Sequence, residues 1–206
     1  MLWLHGKAKF ETLYSLLGFK FASSTGIFAR ARFQAHRSNS IPTAKALHVR
    51  MNDAFAAGDR ETLRAICTDD LFKRMVGAID ARPKDVRTEW ELLKYDQTWY
   101  YPRLADWRVV MIPRPGGVGG GHRVIKQAVV SIASVQRLAR YDDSPKGGGA
   151  KIEGSERVRN MLEHIVLQAE VDPKTFKAHP WKIWGNTPEH TYESWLEELA
   201  NYEAAT

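Results

Sequence analysis

The feature that constrains this fold most is a long alternation of apolar and polar side chains over residues 124–141. Val124 and Ile132 have one parity in this run, whereas Gln127 and Arg137 have the other. Alternation of period two is typical of a β-strand that is buried on one face. Because the run is longer than a usual strand, at about 3.3 Å per residue, the sequence predicts a strand that is curved or bulged. A strongly bent sheet follows from it.

Three helices are predicted before this strand. The first covers residues 42–57 and ends at Gly58, a residue type that is common just after a helix. A short second helix begins after Asp59, whose side chain is expected to cap it. A third begins after Thr68 and ends near Pro83. The first third of the chain is therefore predicted to be largely helical.

The remaining segments predict a sheet. Aromatic residues crowd the stretch 90–107, and residues 107–112 and 180–184 are predicted as further strands. Residues 158–171 fit both a helix and a strand, so periodicity alone leaves this segment open. Helices followed by strands predict an α+β fold, with helices on one face of an antiparallel sheet.

The aromatic stretch has two interpretations. Exposed aromatic rings serve as platforms for stacking nucleobases in proteins that bind single-stranded nucleic acids. At this density, in a domain that must fill a curved sheet, we expect core packing instead. The rings concerned are those of Trp90, Tyr95, Trp99, Tyr100, Tyr101 and Trp107.

Composition and spacing disfavour several classes of site. Cys67 is the single cysteine, which excludes an internal disulfide and zinc sites that need two thiolates. The longest aliphatic run, residues 109–112, is far too short for a membrane-spanning helix. None of the seven histidines has the spacing of a metal-binding motif, so we expect each to be structural or exposed. We therefore expect no catalytic residue, no metal and no cofactor.

Two further motifs favour structural roles. The glycine-rich stretch 113–122 lacks the Gly-Lys-Ser/Thr ending of a phosphate-binding loop and leads into a strand, so it is predicted to be a hairpin loop. Asp69 and Asp70 are expected to cap a helix, and Asp142 and Asp143 to occupy a turn. Neither acidic pair predicts acid–base chemistry, because neighbouring side chains point in different directions.

Charge is distributed unevenly along the chain. Residues 1–52 hold eight lysines and arginines and one acidic residue, Glu11, whereas residues 187–206 hold five glutamates and no lysine or arginine. We therefore divide the chain into a basic arm over 1–41, an α+β domain over 42–186 and an acidic helix over 187–206. The apolar stripe of that predicted helix consists of Tyr192, Trp195, Leu196, Leu199 and Tyr202.

The basic arm suits an anionic partner. We expect it to be ordered by phosphate groups, in RNA or in lipid head groups. Its arginines, serines and scarcity of acids also resemble a mitochondrial targeting sequence, although we expect the segment to be retained. The alternative is a solvated segment held by contacts within the chain. The candidate RNA-binding residues are Lys7, Lys9, Lys20, Arg30, Arg32, Arg37 and Lys45.

An apolar stripe of helical spacing passes from Phe10 to Phe21 within the arm, between basic residues. Such a stripe fits a helix that lies in a membrane interface, and it also fits a helix docked on protein. Docking on protein is the more common case. Leu16 and Phe19 lie outside the stripe, which weakens the prediction of an amphipathic helix. No membrane-facing residue is assigned.

Three segments together resemble a known family. They are residues 129–142, which end in an Arg-Leu-x-x-Tyr-Asp corner, residues 161–171, and residues 180–185, which contain two tryptophans. Over residues 42–186 the chain resembles the Tim-forty-four-like domain family. Within that family it is most similar to the branch of mitochondrial large-subunit ribosomal protein forty-five, which includes the fungal membrane-associated mitoribosome receptor.

The resemblance implies a cone-like sheet wrapped around helices, as in nuclear-transport-factor-two-like folds, and implies that residues 161–171 form a strand. It also implies a non-catalytic component of the mitochondrial large ribosomal subunit, near the polypeptide exit and on the matrix side of the inner membrane. The implied partners are large-subunit rRNA, neighbouring mitoribosomal proteins, the inner membrane surface and an Oxa-type insertase.

Two other functions stay open at this point. One is a scaffold of the protein-import motor that uses the same domain. The other is a small-molecule enzyme with its site in the cone cavity, which a deep polar pocket would favour.

Overall fold

The computed structural model describes residues 35–113 and 122–187, together with Gly18 and Phe33. A 3₁₀ turn at Arg37–Asn39 leads into three helices, α1 (Ser40–Ala57), α2 (Arg60–Ile66) and α3 (Asp69–Asp80). The strands are β1 (Val86–Tyr95), β2 (Arg103–Pro113), β3 (His122–Asp142), β4 (Ala150–Lys151), β5 (Arg157–Val171) and β6 (Lys182–Thr187). The predicted α+β class is confirmed.

Local chemistry sets the ends of the first two helices. Gly58 ends α1 with a φ of 73°, a left-handed conformation that glycine adopts without steric cost. Asp59 then begins α2, because its Oδ1 accepts a hydrogen bond from the Thr62 N–H at 3.0 Å. Helix α1 starts two residues earlier than predicted, at Ser40, and Pro42 lies within its first turn, where a missing N–H costs no helical hydrogen bond.

Helix α3 begins after Thr68, as predicted, but not by the predicted side-chain cap. The Thr68 hydroxyl makes no capping hydrogen bond. Instead, the Thr68 N–H donates to the carbonyl of Ile183 at 2.9 Å, which ties the start of this helix to strand β6. The first turn carries Asp69 and Asp70, whose negative charges favour a helix N-terminus.

Strand β3 is the centre of a six-stranded antiparallel sheet. On one edge it pairs first with β2 and then with β1, and on the other edge it pairs with β5. Strand β6 pairs with the outer edge of β5, and the two-residue β4 pairs with the end of β3. Antiparallel pairing up to Pro113 and His122 confirms that the glycine-rich stretch joins a hairpin, and β5 confirms the strand that periodicity left open.

The irregularities that the length of β3 predicts lie in its neighbours and not in β3 itself. Strands β3 and β5 pair without a shift from Val124 opposite Val171 to Leu138 opposite Arg157. Single extra residues interrupt the other pairings, and all three are exposed to solvent. They are Leu93 in β1, Ala105 in β2 and Trp184 in β6. Each such bulge increases the local twist of its strand.

The hydrophobic core lies between the helices and one face of the sheet, called here the inner face. Residues of even number in β3 and odd number in β5 line it, since directly opposed residues such as Ile132 and Glu163 share a face. Trp107 is 1% exposed, and its ring lies 6.4 Å from that of Phe33, which is 2% exposed. Phe33 therefore joins the end of the basic arm to the domain core.

The prediction of aromatic core packing is correct for Trp107 and wrong for Trp99 and for Tyr100, which is 41% exposed. The Trp99 side chain is 96% exposed in the connection between β1 and β2. Its ring contacts Tyr100 edge to face, Tyr100 contacts Tyr101 in the same way, and the Arg103 guanidinium lies 4.2 Å from the Tyr100 centroid. The density of aromatic residues in a stretch of sequence does not distinguish a ring on the inner face from one in a connecting loop.

Most of the basic arm and nearly all of the acidic segment lie outside the described residues, and so does the predicted stripe from Phe10 to Phe21. Within the part of the chain that the structure describes, no helix has the length and apolar character needed to span a bilayer.

We expect Leu167→Ala to lower the free energy of unfolding by about 2–5 kcal/mol, because this fully buried side chain would leave a cavity in the core. Urea denaturation monitored by circular dichroism measures the loss. The matched control is Leu93→Ala at the exposed bulge of β1, with an expected change below about 1 kcal/mol. Equal losses in the two variants would contradict this account of the core.

Candidate functional site

A buried polar cluster lies where helix α1 meets the inner face of the sheet. Its centre is the carboxylate of Glu163 on β5. His48 of α1 contacts Glu163 Oε2 through Nε2 at 2.9 Å, and the Gln136 amide of β3 donates to the same oxygen at 2.6 Å. The Asn186 amide of β6 donates to Oε1 at 2.7 Å. Four elements thus converge on one carboxylate.

The cluster extends toward the edge formed by β1. Gln136 accepts a hydrogen bond from the Trp90 indole at 2.9 Å, so Trp90 is connected to Glu163 through one amide. The His48 ring meets Trp90 edge to face at 5.9 Å. The Tyr95 ring lies 6.5 Å from that of His48, and Tyr95 donates its hydroxyl hydrogen to the carbonyl of Lys45 at 3.1 Å.

Hydrogen bonding keeps Glu163 ionised in spite of its burial. Burial alone would raise the pKa of this carboxyl group, but the hydrogen bond and charge of His48, with the two amide donors, outweigh burial. The pKa of Glu163 therefore lies below its ordinary value. Burial, together with the negative charge of Glu163, raises the pKa of Tyr95.

The chemistry of the cluster fits anchoring better than catalysis. A general base needs a lone pair that a substrate can reach, whereas the Glu163 oxygens already accept from three side chains and this side chain is 9% exposed. His48 is fully buried, and its Nδ1 has no hydrogen-bond partner. Among the described residues, no group of three histidine, cysteine or acidic side chains could hold a metal ion.

Sequence analysis missed this cluster because its members are far apart in the chain. His48 and Glu163 are separated by 115 positions. One signal was present: His48 falls on the buried face of α1 with Ala44 and Met51, where an imidazole needs a partner. The identity of that partner depends on the pairing of β3 with β5, which no local pattern reveals.

A cavity of about 810 Å³ opens beside the cluster, between the end of α1 and the inner face of β1, β3 and β5. Its apolar lining includes Trp90, Leu138 and Met161, and its basic lining includes Arg140 and Arg157. Glu163 and Gln136 reach its wall from the polar cluster. The cavity therefore combines an apolar floor with cationic side chains.

Of the predicted RNA-binding residues, the structure describes two. Arg37 is exposed in the 3₁₀ turn before α1. Lys45 is half-buried, with its Nζ 4.1 Å from the centroid of the Tyr95 ring, so its charge already has an aromatic partner. The other candidates lie outside the described residues: Lys7, Lys9, Lys20, Arg30 and Arg32.

The remaining reactive side chains have structural surroundings. Burial raises the pKa of the Cys67 thiol to about 11, although the charge of Lys182 opposes this, so the thiolate is scarce at neutral pH. Asp142 accepts a hydrogen bond from the Ser144 N–H at 2.9 Å, and Asp143 pairs with Arg87 at 3.1 Å. The prediction that these two acids occupy a turn is wrong for Asp142, which is the last residue of β3 and pairs with Ala150, and Asp143 directly follows the strand.

The chain matches no protein-family model and no curated protein. Among solved structures, it is similar to the intermembrane space region of the chloroplast protein ARC6. The two are 13% identical with a TM-score of 0.42, and the match covers 74% of this chain and 98% of that chain. The resemblance to Tim-forty-four-like domains therefore stays a prediction.

We expect Glu163→Gln to lower the free energy of unfolding near pH 7 by about 2–5 kcal/mol, because a hydrogen bond to a charged group contributes about 1.5–3 kcal/mol and a buried donor left without a partner costs about 1–3 kcal/mol. The variant amide would present a donor to groups that themselves donate to Glu163. Urea denaturation measures the loss. Glu170→Gln is the matched control in the exposed Arg123 pair, with an expected change within about 1 kcal/mol.

The same variant should show a particular pH dependence. Because the folded-state pKa of Glu163 is depressed, its stabilising contribution is complete above the ordinary value of 4.5 and is lost as pH falls through the folded pKa. The difference between wild type and Glu163→Gln should therefore shrink in acid. A difference that stays constant down to about pH 3 would show that the carboxylate charge is not what stabilises the cluster.

Proposed function

We propose that this chain is a structural, non-catalytic component of the mitochondrial large ribosomal subunit near the polypeptide exit. In this proposal the basic arm binds rRNA, and the domain helps to hold the ribosome at the inner membrane for co-translational insertion beside an Oxa-type insertase. The observation that carries it is the arrangement of the three segments that resemble the family, which lie in strands β3, β5 and β6 of one sheet.

The Arg-Leu-x-x-Tyr-Asp corner supports the proposal in detail. It closes the end of β3, where Asp142 accepts from the backbone of Ser144 and the Arg87 guanidinium lies 4.6 Å from the centroid of the Tyr141 ring. Leu138 of the same corner lies on the inner face, opposite Arg157. The motif thus has a consistent structural purpose, which is to end the longest strand in a fixed turn.

The proposed fold is cone-like, as the resemblance implies. Three features favour a strongly bent sheet: the length of β3, the bulges in its neighbours, and the packing of the described helices on the inner face. In this arrangement the inner face encloses the cavity beside Glu163. A fully hydrogen-bonded Glu163 favours a structural role for that cavity wall over an enzyme site.

The anchoring of the arm supports rRNA binding. Phe33 is buried against Trp107, and Arg30, Arg32 and Arg37 lie within four positions of it in the sequence. In this proposal the buried Phe33 ring holds the neighbouring basic residues close to the domain. Fixed cationic groups bind RNA phosphate with less loss of conformational entropy than groups on a free chain.

We expect the triple variant Arg30→Glu, Arg32→Glu and Arg37→Glu to reduce incorporation into the mitochondrial large subunit by at least about tenfold, because phosphate contacts supply most of the affinity for RNA. Sedimentation of mitochondrial lysates on sucrose gradients measures the fraction that migrates with the subunit.

The matched control reverses three exposed lysines of the domain, Lys146, Lys174 and Lys177, to glutamate, and gives the same change in net charge. We expect that control to sediment with the subunit as wild type does. Unchanged sedimentation of the arginine variant would contradict the proposal. Co-purification of the wild-type protein with matrix chaperone and not with ribosomes would instead support the import-motor scaffold.

A further inference from the structure

Three arginines project from the inner face of the sheet beyond the end of α1. Arg140 lies on β3, and Arg157 and Arg159 lie on β5, with all three side chains exposed. Arg157 stands opposite Leu138, and Arg159 stands opposite Gln136, which places both on the same face as Glu163. We call these three side chains the arginine rim.

The arginine rim has no carboxylate partner within the part of the chain that the structure describes. Ion pairs elsewhere in the sheet join Arg87, Arg123 and Arg137 to acidic neighbours, but none involves the rim. Of the two acids that line the cavity, Glu163 is held by its own three donors, and Glu153 is exposed with no described ion pair.

A fourth arginine adds to the positive charge. Arg82 donates to the carbonyls of Phe55 and Ala56 at the end of α1, at 2.8 and 3.2 Å. Burial, and next the positive charge of Arg140, lower the pKa of Arg82. Cations held this close to one another favour an anionic neighbour.

The floor between these arginines is apolar. Met161 is 36% exposed on the inner face, beside Trp90 and Leu138, and the three residues line one recess with Arg157 and Arg159. An occupant of this surface must therefore offer apolar groups and negative charge together.

The last described strand of the chain points along the edge of β5 that borders this surface. Strand β6 runs along the edge of β5 and ends with Thr187 opposite His164. From there its direction leads toward Met161 and Arg157, along an edge of β5 with which no described strand pairs. That edge is about 23 Å long at the usual rise of a strand.

The segment that follows has the required chemistry. Residues 188–206 hold five glutamates and no lysine or arginine. As a helix these nineteen residues would extend about 28 Å, enough to span the edge. The apolar stripe predicted for that helix consists of Tyr192, Trp195, Leu196, Leu199 and Tyr202.

We propose that the acidic segment 188–206 docks on the inner face of this same chain, with its aromatic stripe on the floor formed by Trp90, Leu138 and Met161 and its glutamates against the arginine rim. The cavity is then an intramolecular docking site. This proposal does not depend on the ribosomal function, because it concerns contacts within one chain.

Hydrogen exchange of the full chain, read by mass spectrometry, tests the proposal. We expect amides of residues 188–206 to be protected in the wild type. In the double variant Arg157→Glu and Arg159→Glu, we expect that protection to fall by at least about tenfold, because like charges then face each other. Adding Glu197→Arg and Glu198→Arg to that variant should restore protection, since the charges are exchanged between the two surfaces.

The matched control is Lys174→Glu with Lys177→Glu, which changes net charge equally at exposed positions of the β5–β6 connection. It should leave protection of residues 188–206 unchanged. Amides of β3 and β5 near Ile132 and Leu167 report whether each variant keeps its core.

Three results would overturn the proposal. The first is exchange of residues 188–206 in the wild type at the rate of an unstructured peptide. The second is protection that survives charge reversal of the rim. The third is unprotected residues 188–206 together with rim-dependent binding of vesicles that contain phosphatidylglycerol, which would assign the rim to a lipid surface.

Discussion

The structure depends on one carboxylate that is buried and yet charged. Glu163 accepts hydrogen bonds from His48, Gln136 and Asn186, and through them it joins α1, β3 and β6 to its own strand. An ion in this position is costly unless its lone pairs are occupied, so each donor has to be in place for the others to be stable. The packing angle of α1 on the sheet is therefore specified by polar geometry as well as by apolar contact.

The second determinant is the length of β3. Its 21 residues extend beyond α1 at the end where β3 pairs with β1, so among the described residues α1 covers one part of the inner face and not the other. The covered part holds the core around Ile132 and Trp107. The part beyond α1 forms the wall of the cavity that Trp90 and Met161 line. Strand β3 therefore contributes side chains both to the hydrophobic core and to the wall of the cavity.

The sequence predicted the elements that depend on interactions between residues close together in the chain. The glycine after α1, the Asp59 cap and the alternation in β3 fix elements by themselves, and these predictions are confirmed. The polar cluster could not be predicted from the sequence, because the register between β3 and β5 determines which side chain lies opposite His48. Trp99 was assigned to the core because it belongs to the same aromatic-rich stretch as Trp107, but it lies in an exposed connection between two strands, where its ring is 96% exposed.

The burial of Phe33 has a thermodynamic consequence for the whole chain. Removing this ring from the core would expose a phenylalanine that contributes about 1.5–3 kcal/mol, so the arm and the domain cannot separate freely. By linkage, any ligand that binds the arm in its anchored state also stabilises the domain against unfolding. Ligand binding to the basic arm would therefore raise the resistance of the α+β domain to denaturation.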